Sequence, residues 1–180
     1  MLIESQPHMV YEAHSTDYQT PGNLRALVER HFAILKVGPG LTFALREALW
    51  ALDQIEREWL GSGRYSQLRS TVSAAMSAEP KFWNKHYTSR GHQLELDWQY
   101  SLSDRIRYYW PMPAVETALQ RLLTNLEATP PPLTLLSQYM PMQYEAVRAG
   151  ELTRNARDLV FHHVGRVSQQ YFAACGSQAS

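Results

Sequence analysis

The sequence predicts a mostly helical α/β chain in which two βα units precede an all-helical region. Two short apolar segments, residues 9–13 and 33–37, are each followed by polar or glycine-bearing residues and then by a helical pattern. This order is typical of consecutive βα units in a parallel barrel. A closed (β/α)8 barrel needs about 250 residues. A chain of 180 residues with two strands therefore indicates the tail end of a larger barrel.

The first βα unit begins near the N-terminus. We expect a strand at residues 9–13, a polar exit loop at 14–20 and a helix from 21 to about 31. Proline is favoured in the first turn of a helix, so Pro21 supports this start. The apolar stripe of the predicted helix consists of Leu24, Leu27 and Val28.

The second βα unit has a more apolar strand. Residues 33–37 are a near-continuous apolar run broken by Lys36, which is typical of a strand covered on both faces. After residues 38–40 (Gly-Pro-Gly), apolar side chains recur every three or four positions, which predicts a long helix ended by Gly61 and Gly63. Its apolar face consists of Leu41, Leu45, Ala48, Leu49, Leu52, Ile55 and Trp59. Charged residues occupy its other faces: Arg46, Glu47, Asp53, Glu56 and Arg57.

The chain after Tyr65 is predicted to be helical, because its apolar residues recur at helical spacing and prolines interrupt it. Residues 90–100 are the least regular part, since their apolar positions alternate as in a strand. Because no partner strand is near, we interpret this stretch as irregular or helical. The other expected helical segments are near 68–76, a short piece after Pro80, 113–126, 133–140 and 141–149.

Capping residues predict two further helix boundaries. Ser103 or Asp104 is expected to cap a helix that Pro111 stops, because proline disfavours helical geometry in the residue before it. Thr153 is expected to cap the last helix, which Gly176 ends. We divide the chain into a partial barrel segment, residues 1–63, and a helical region, residues 64–180, packed on it as one unit.

The composition excludes several classes of partner. Seventeen basic side chains balance seventeen acidic ones, so no overall field attracts nucleic acid. No apolar stretch approaches membrane-spanning length, and no leader pattern is present. Cys175 is the single cysteine, which excludes an internal disulfide and fits a reducing cytosol. We expect a cytoplasmic protein that binds neither nucleic acid nor membrane.

The loops after the two strands are candidates for binding phosphate. In parallel barrels such groups bind at the carboxyl ends of strands, beside a helix N-terminus. Glycines let backbone N–H groups approach an oxyanion, and a lysine adds positive charge. The alternative is plain turn chemistry, since no established phosphate-loop spacing is present. The candidates are Ser15, Thr16, Asp17, Lys36, Gly38, Gly40 and Thr42.

His14 is a candidate zinc ligand, because an imidazole at a strand end can reach a barrel mouth. One histidine does not make a metal site, so a hydrogen-bonded structural histidine is the alternative. Residues 101–111 are dense in arginine and aromatics, which indicates a sugar-phosphate or partner-binding edge at Arg105, Arg107 and Tyr108. The alternative is a capped helix with surface arginines.

Three segments carry a family resemblance: residues 9–20, 31–48 and 100–111. They closely resemble the Z-type, non-catalytic subunit of class II D-tagatose-1,6-bisphosphate aldolase. Residues 137–141 and 150–152 look like the same family near its C-terminus. The resemblance extends from Met9 to Cys175.

The resemblance implies the last two βα units of a (β/α)8 barrel followed by a helical C-terminal region. The chain would begin just before the seventh strand, as a fragment of such a subunit. The family implies an accessory role beside a zinc-dependent, catalytic Y-type subunit, in galactitol or N-acetylgalactosamine catabolism. Zinc would then sit on the partner, with no cofactor and no catalytic residue on this chain. Self-association into a homo-oligomer stays open.

Two alternatives to the accessory role remain. The helical region could be a self-standing protein-interaction module with no part in aldol chemistry. The chain could also be catalytic, with His14 on zinc and Lys36 near a substrate phosphate. No kinase motif is found in the sequence.

Overall fold

The computed structural model describes residues 3–176 and confirms a mostly helical α/β chain. Two strands, β1 (Tyr11–Ala13) and β2 (Phe32–Leu35), pair in parallel. Helix α1 (Pro21–Glu29) connects them, and helix α2 (Pro39–Leu60) follows β2. Regular pairing extends only over these residues, so both strands are shorter than predicted.

The remaining described helices follow in chain order. They are α3 (Leu68–Ala78), α4 (His92–Tyr100), α5 (Pro113–Ala128), α6 (Leu133–Tyr139), α7 (Pro141–Arg148) and α8 (Ala156–Ala174). Three short 3-10 turns lie at Ile3–Ser5, Pro80–Phe82 and Ile106–Tyr108. None of the helices within residues 3–176 is long and apolar enough to cross a lipid bilayer.

The sheet has one open face in the described chain. The register pairs Glu12 with Ile34 and Ala13 with Leu35. Ala13 is buried, but Ile34 is 43% exposed and Val10 is 61% exposed. The prediction that β2 is covered on both faces is therefore wrong for the described residues, because Ile34 of this strand is exposed.

Residues 92–100 form a helix although their apolar side chains alternate. Leu94 and Trp98, four residues apart, pack on the core, whereas Leu96 and Tyr100 are exposed. Apolar residues four positions apart therefore lie on the same face of the helix, although the sequence pattern alternates. With no strand to pair with, the helix satisfies the backbone N–H and C=O groups that a lone strand would leave open.

Two predicted caps are wrong. The segment after Asp104 forms only the three-residue turn Ile106–Tyr108, without a side-chain cap, because the Asp104 side chain is buried elsewhere. The last helix begins at Ala156 rather than after Thr153. Asn155 is its cap, with the side-chain oxygen accepting a hydrogen bond from the backbone N–H of Arg157 at 2.9 Å.

The main core surrounds α2, which packs against α3, α5, α6 and α8. Helix α8 also packs against α1, so it contacts both βα units. The largest fully buried apolar side chains of this core are Leu49, Leu52, Ile55, Leu68, Met76, Ile106, Tyr109, Leu122, Leu126 and Leu136. The βα segment and the helical region therefore share α2 as a common packing element.

Three charged residues of α2 are buried, which its amphipathic pattern did not indicate. Asp53 accepts a hydrogen bond from the Arg69 N–H at 3.1 Å, near the start of α3. Glu56, fully buried, accepts hydrogen bonds from Ser66 and Asn125. Arg46 is 2% exposed and contacts Asp104. Their partners lie far along the chain, so helical periodicity could not reveal them.

Candidate functional site

The carboxyl ends of β1 and β2 bring together Glu12, His14 and Lys36. Glu12 lies on β1, and His14 is the first residue after that strand, as Lys36 is after β2. The side chains of Glu12 and His14, two positions apart, face the same side. The Glu12 Oε1 atom lies 2.7 Å from His14 Nε2 and forms an ion pair with Lys36 Nζ. The hydrogen bond from Lys36 holds the pKa of Glu12 below its usual value. Sequence reasoning missed Glu12, although its period-2 spacing to His14 was a usable signal.

His14 contacts one carboxylate and is largely exposed. Its side chain is 69% exposed and its recorded partner is Glu12. Within residues 3–176, no three His, Cys, Asp or Glu side chains converge to hold a metal ion. Zinc binding by His14 stays a prediction, and the contact with Glu12 matches its structural alternative.

Thr16 fastens the β1 exit loop to the rest of the molecule. It is 3% exposed, and its hydroxyl donates to the Lys36 carbonyl at 2.9 Å. The Tyr171 hydroxyl of α8 donates to the Thr16 carbonyl at 2.9 Å. Burial of the Tyr171 hydroxyl raises the pKa of that residue. The loop is thereby attached both to the second strand and to the last helix.

The Asp17 carboxylate occupies the N-terminal end of α2. Its Oδ1 atom accepts hydrogen bonds from the backbone N–H groups of Gly38, at 2.8 Å, and Gly40, at 2.7 Å. A carboxylate is stabilised here because the helix dipole is positive at this end. A Cβ on Gly40 would lie 3.0 Å from Asp17 Oδ1, so the close approach requires glycine at position 40.

Six of the seven predicted phosphate residues have partners within the chain, including Thr16 and Lys36 as described above. Asp17, Gly38 and Gly40 bind one another, and the hydroxyl of Thr42 donates to the Pro39 carbonyl at 3.1 Å. Ser15 is exposed in an open cleft of about 400 Å³ next to α1, whose walls include Gln19, Asn23 and Arg30. Phosphate binding stays a prediction. In the structure the α2 amides already have an anionic acceptor from this chain.

A buried ion pair lies next to the β1 exit loop. Arg46 Nε of α2 is 3.2 Å from Asp104 Oδ1, and both side chains are almost fully buried. Arg46 also donates to the Gln99 carbonyl and lies over the Phe43 ring. Burial raises the pKa of Asp104 and lowers that of Arg46.

Tyr18 links the same loop to the segment before Asp104. Its hydroxyl donates to the Leu102 carbonyl at 2.8 Å. Burial of the hydroxyl and the nearby Asp104 charge raise the pKa of Tyr18 to about 12. Residues 101–104 therefore pack beside the carboxyl ends of the strands.

The predicted edge residues Arg105, Arg107 and Tyr108 do lie together. The guanidinium carbons of Arg105 and Arg107 are 5.9 and 4.9 Å from the centre of the Tyr108 ring. Arg107 Nη2 donates to the Tyr108 hydroxyl at 3.0 Å, and this bond lowers the pKa of Tyr108. Their role as partner contacts stays a prediction. The capped helix of the alternative interpretation is absent, since only a 3-10 turn forms.

Comparison with known proteins matches the chain to a family model and to a solved structure. A family model described as D-tagatose-1,6-bisphosphate aldolase subunit GatZ/KbaZ-like matches residues 1–176. The crystal structure of a probable tagatose 6 phosphate kinase from Sinorhizobium meliloti 1021 is 49% identical, with a TM-score of 0.88. That match covers 93% of this chain and 43% of the other, so the chain spans less than half of its relative's length. The chain belongs to the GatZ/KbaZ-like family of D-tagatose-1,6-bisphosphate aldolase subunits.

Proposed function

We propose that this chain is a non-catalytic, accessory part of a zinc-dependent D-tagatose-1,6-bisphosphate aldolase in the cytoplasm. Family membership supports the link to the aldolase. A catalytic Y-type subunit would bind the zinc, which supplies Lewis-acid chemistry when bound, while this chain would support that subunit's stability and activity. Galactitol and N-acetylgalactosamine breakdown are the pathways that we propose for it. The two strands would be the last two of a (β/α)8 barrel.

The observation that carries the non-catalytic part is the contact of Asp17 with the start of α2. A substrate phosphate at the Gly38 and Gly40 amides would have to displace this carboxylate, and the two negative charges would repel. His14 and Lys36 are likewise drawn to Glu12 rather than to an open position. The charged groups at the strand ends thus stabilise the chain itself.

The name of the Sinorhizobium relative suggests a kinase, and we do not transfer that activity. A kinase cradles nucleotide phosphates with free backbone N–H groups of a glycine-rich loop. Here the glycine-bearing turn before α2 gives its N–H groups to Asp17.

Reconstitution with a Y-type subunit tests the proposal. We expect the chain to raise both the Y-type subunit's cleavage of tagatose 1,6-bisphosphate and its thermal midpoint. Alone, the chain should not cleave this substrate. A His14→Ala variant should support the Y-type subunit as well as the wild type does, because His14 has no catalytic part in this proposal. Turnover by the isolated chain, or no effect on either quantity, would contradict it.

The helical interaction module remains the second candidate. It is favoured by the helices α3, α5, α6 and α8, which follow residue 63 and supply much of the main core away from the strands, whereas the share of α2 in that core counts against it. We propose a division of the chain between residues 63 and 64. The two candidates differ in whether the region after this division is stable by itself. Limited proteolysis separates them.

A further inference from the structure

A partly exposed patch of cations and aromatic rings lies outside the hydrogen-bond network of the strand ends. We call Lys81, Phe82, Arg105, Arg107 and Tyr108 the arginine–tyrosine patch. The Phe82 and Tyr108 rings stack with centres 5.2 Å apart and planes 15° apart. Lys81 Nζ is 4.8 Å from the Phe82 ring, and the two guanidinium groups lie against Tyr108. Two stacked rings are thus surrounded by three cations.

The charges of the arginine–tyrosine patch are incompletely paired within residues 3–176. Arg105 donates to the Ser103 hydroxyl at 3.3 Å and Arg107 to the Tyr108 hydroxyl. Neither guanidinium forms an ion pair with a described carboxylate, and Arg105 Nε is buried without a hydrogen-bond partner there. Lys81 pairs with Glu79 at 3.4 Å. The surface therefore carries a net positive charge in a chain whose total charge is zero.

The arginine–tyrosine patch lies at the rim of the core, because Phe82 packs partly on the core while Lys81 and Tyr108 are exposed. Tyr109 is fully buried, whereas Tyr108, next to it, is 40% exposed. The helix that could have kept these arginines as solvent-facing positions does not form. Two half-buried arginines and an exposed tyrosine around a stacked ring pair have the composition of protein–protein interface hot spots.

We propose that the arginine–tyrosine patch docks an acidic segment of another aldolase subunit, the catalytic Y-type chain. This inference rests on the proposed function. Arginine binds carboxylates through paired N–H groups, and the rings offer apolar area to the rest of the segment. Cations spread around an exposed ring stack suit several carboxylates along a peptide better than one small anion. The partner surface that complements these cations would be acidic.

The location of the arginine–tyrosine patch suits such a partner. Arg105 of the patch directly follows Asp104, whose side chain contacts Arg46 of α2. Tyr18 belongs to the exit loop of β1 and is bonded to Leu102. A subunit docked on the patch would therefore contact the chain beside the carboxyl ends of its strands.

Binding of a purified Y-type subunit to the full chain tests the inference by calorimetry at several salt concentrations. We expect Arg105→Glu/Arg107→Glu to weaken binding by about tenfold or more, because two attractive contacts become repulsive. The wild-type affinity should fall as salt rises, and that of the variant should depend on salt much less. Arg148→Glu is the matched control, since Arg148 also lies over a tyrosine ring, Tyr144, at 5.4 Å. We expect it to bind like the wild type.

Further variants and outcomes keep the test decisive. Arg107→Glu alone leaves the part-buried Arg105 in place, and should weaken binding by about threefold or more even if the double variant fails to fold. Equal binding of wild type and folded variants would overturn the inference but leave the proposed function intact. No binding of the Y-type subunit to the wild type would overturn both. Inorganic phosphate that binds the wild type and not the variants, with Y-type binding unchanged, would assign the patch to a small anion and overturn the inference.

Discussion

At the scale of single residues, Asp17 caps helix α2, because the helix's own N-cap residue, Gly38, has no side chain to do so. Its carboxylate lies 21 residues before Gly38 in the chain, yet accepts the first hydrogen bonds of α2. Asp17→Ala should lower the free energy of unfolding by about 1–2 kcal/mol, because two N–H groups lose their acceptor. Asp17→Asn keeps an acceptor oxygen and should lose less than half as much. Urea unfolding measures both, and equal losses in the two variants would contradict a capping role.

The same variant decides the phosphate prediction. If the α2 amides can bind phosphate once Asp17 is gone, inorganic phosphate should raise the thermal midpoint of Asp17→Ala and leave that of the wild type unchanged. A shift of the wild-type midpoint would show that phosphate displaces the carboxylate. That result would count against the non-catalytic proposal.

Tyr109 gives a pH-dependent prediction. Its buried hydroxyl donates to the Glu79 carbonyl, and burial raises its pKa to about 12 from the ordinary value of 10.0. Between about pH 10 and 12 the unfolded chain loses this proton and the folded chain keeps it. The stabilising contribution is therefore complete below about pH 10 and is lost as the pH rises toward 12.

Tyr109→Phe isolates this contribution. Urea unfolding across the alkaline range should show a steeper fall of stability with pH for the wild type than for the variant. The tyrosinate absorbance of the folded wild type should show the ionisation of one tyrosine at high pH. The folded variant should lack this ionisation. Parallel pH profiles for the two proteins would show that Tyr109 ionises normally.

At the scale of elements, periodicity predicted most helices but not their caps or their buried charges. The stripes of α2, α5 and α8 follow from spacing alone, because burial of one face dictates the pattern. Asp104 has the chemistry of a cap but is drawn to Arg46, 58 positions before it. Asp17 likewise acts on a helix that it does not precede directly. Such long-range pairings depend on the fold, so no local pattern contains them.

The contact of α2 with the loop after α4 depends on the Arg46–Asp104 pair. Asp104→Ala should lower the free energy of unfolding by about 3 kcal/mol or more, because Arg46 would be left buried and unpaired. Arg46→Met in the same chain should recover part of that loss. A double-mutant cycle followed by urea unfolding measures the coupling. The exposed pair Lys81 and Glu79 is the matched control, for which we expect little coupling; additive losses at Arg46 and Asp104 would refute the interaction.

At the scale of the whole molecule, the open face of the strand pair indicates packing against further elements. The shared helix α2, in contrast, indicates that the strand pair is attached to the helical region. Val10, just before β1, and Ile34 of β2 are exposed, as expected of apolar side chains that pack against further elements in an assembly. The other side of the same unit is tightly attached, because α8 packs on both α1 and α2. The sequence indicated both βα units but not this attachment, since the Tyr171–Thr16 contact spans 155 positions.

Limited proteolysis tests whether the βα units and the helical region form one packed unit. If α8 holds the first unit in place, trypsin should cut at Arg25 and Arg30 of the wild type no faster than at Arg121 in α5. Tyr171→Phe removes the hydrogen bond to the Thr16 carbonyl while keeping the ring, so cleavage at Arg25 and Arg30 should accelerate several-fold with cleavage at Arg121 unchanged. Tyr144→Phe, a matched change on α7, should leave all three rates unchanged. Rapid loss of the βα units from the wild type, with a stable fragment beginning near residue 64, would instead support the self-standing helical module.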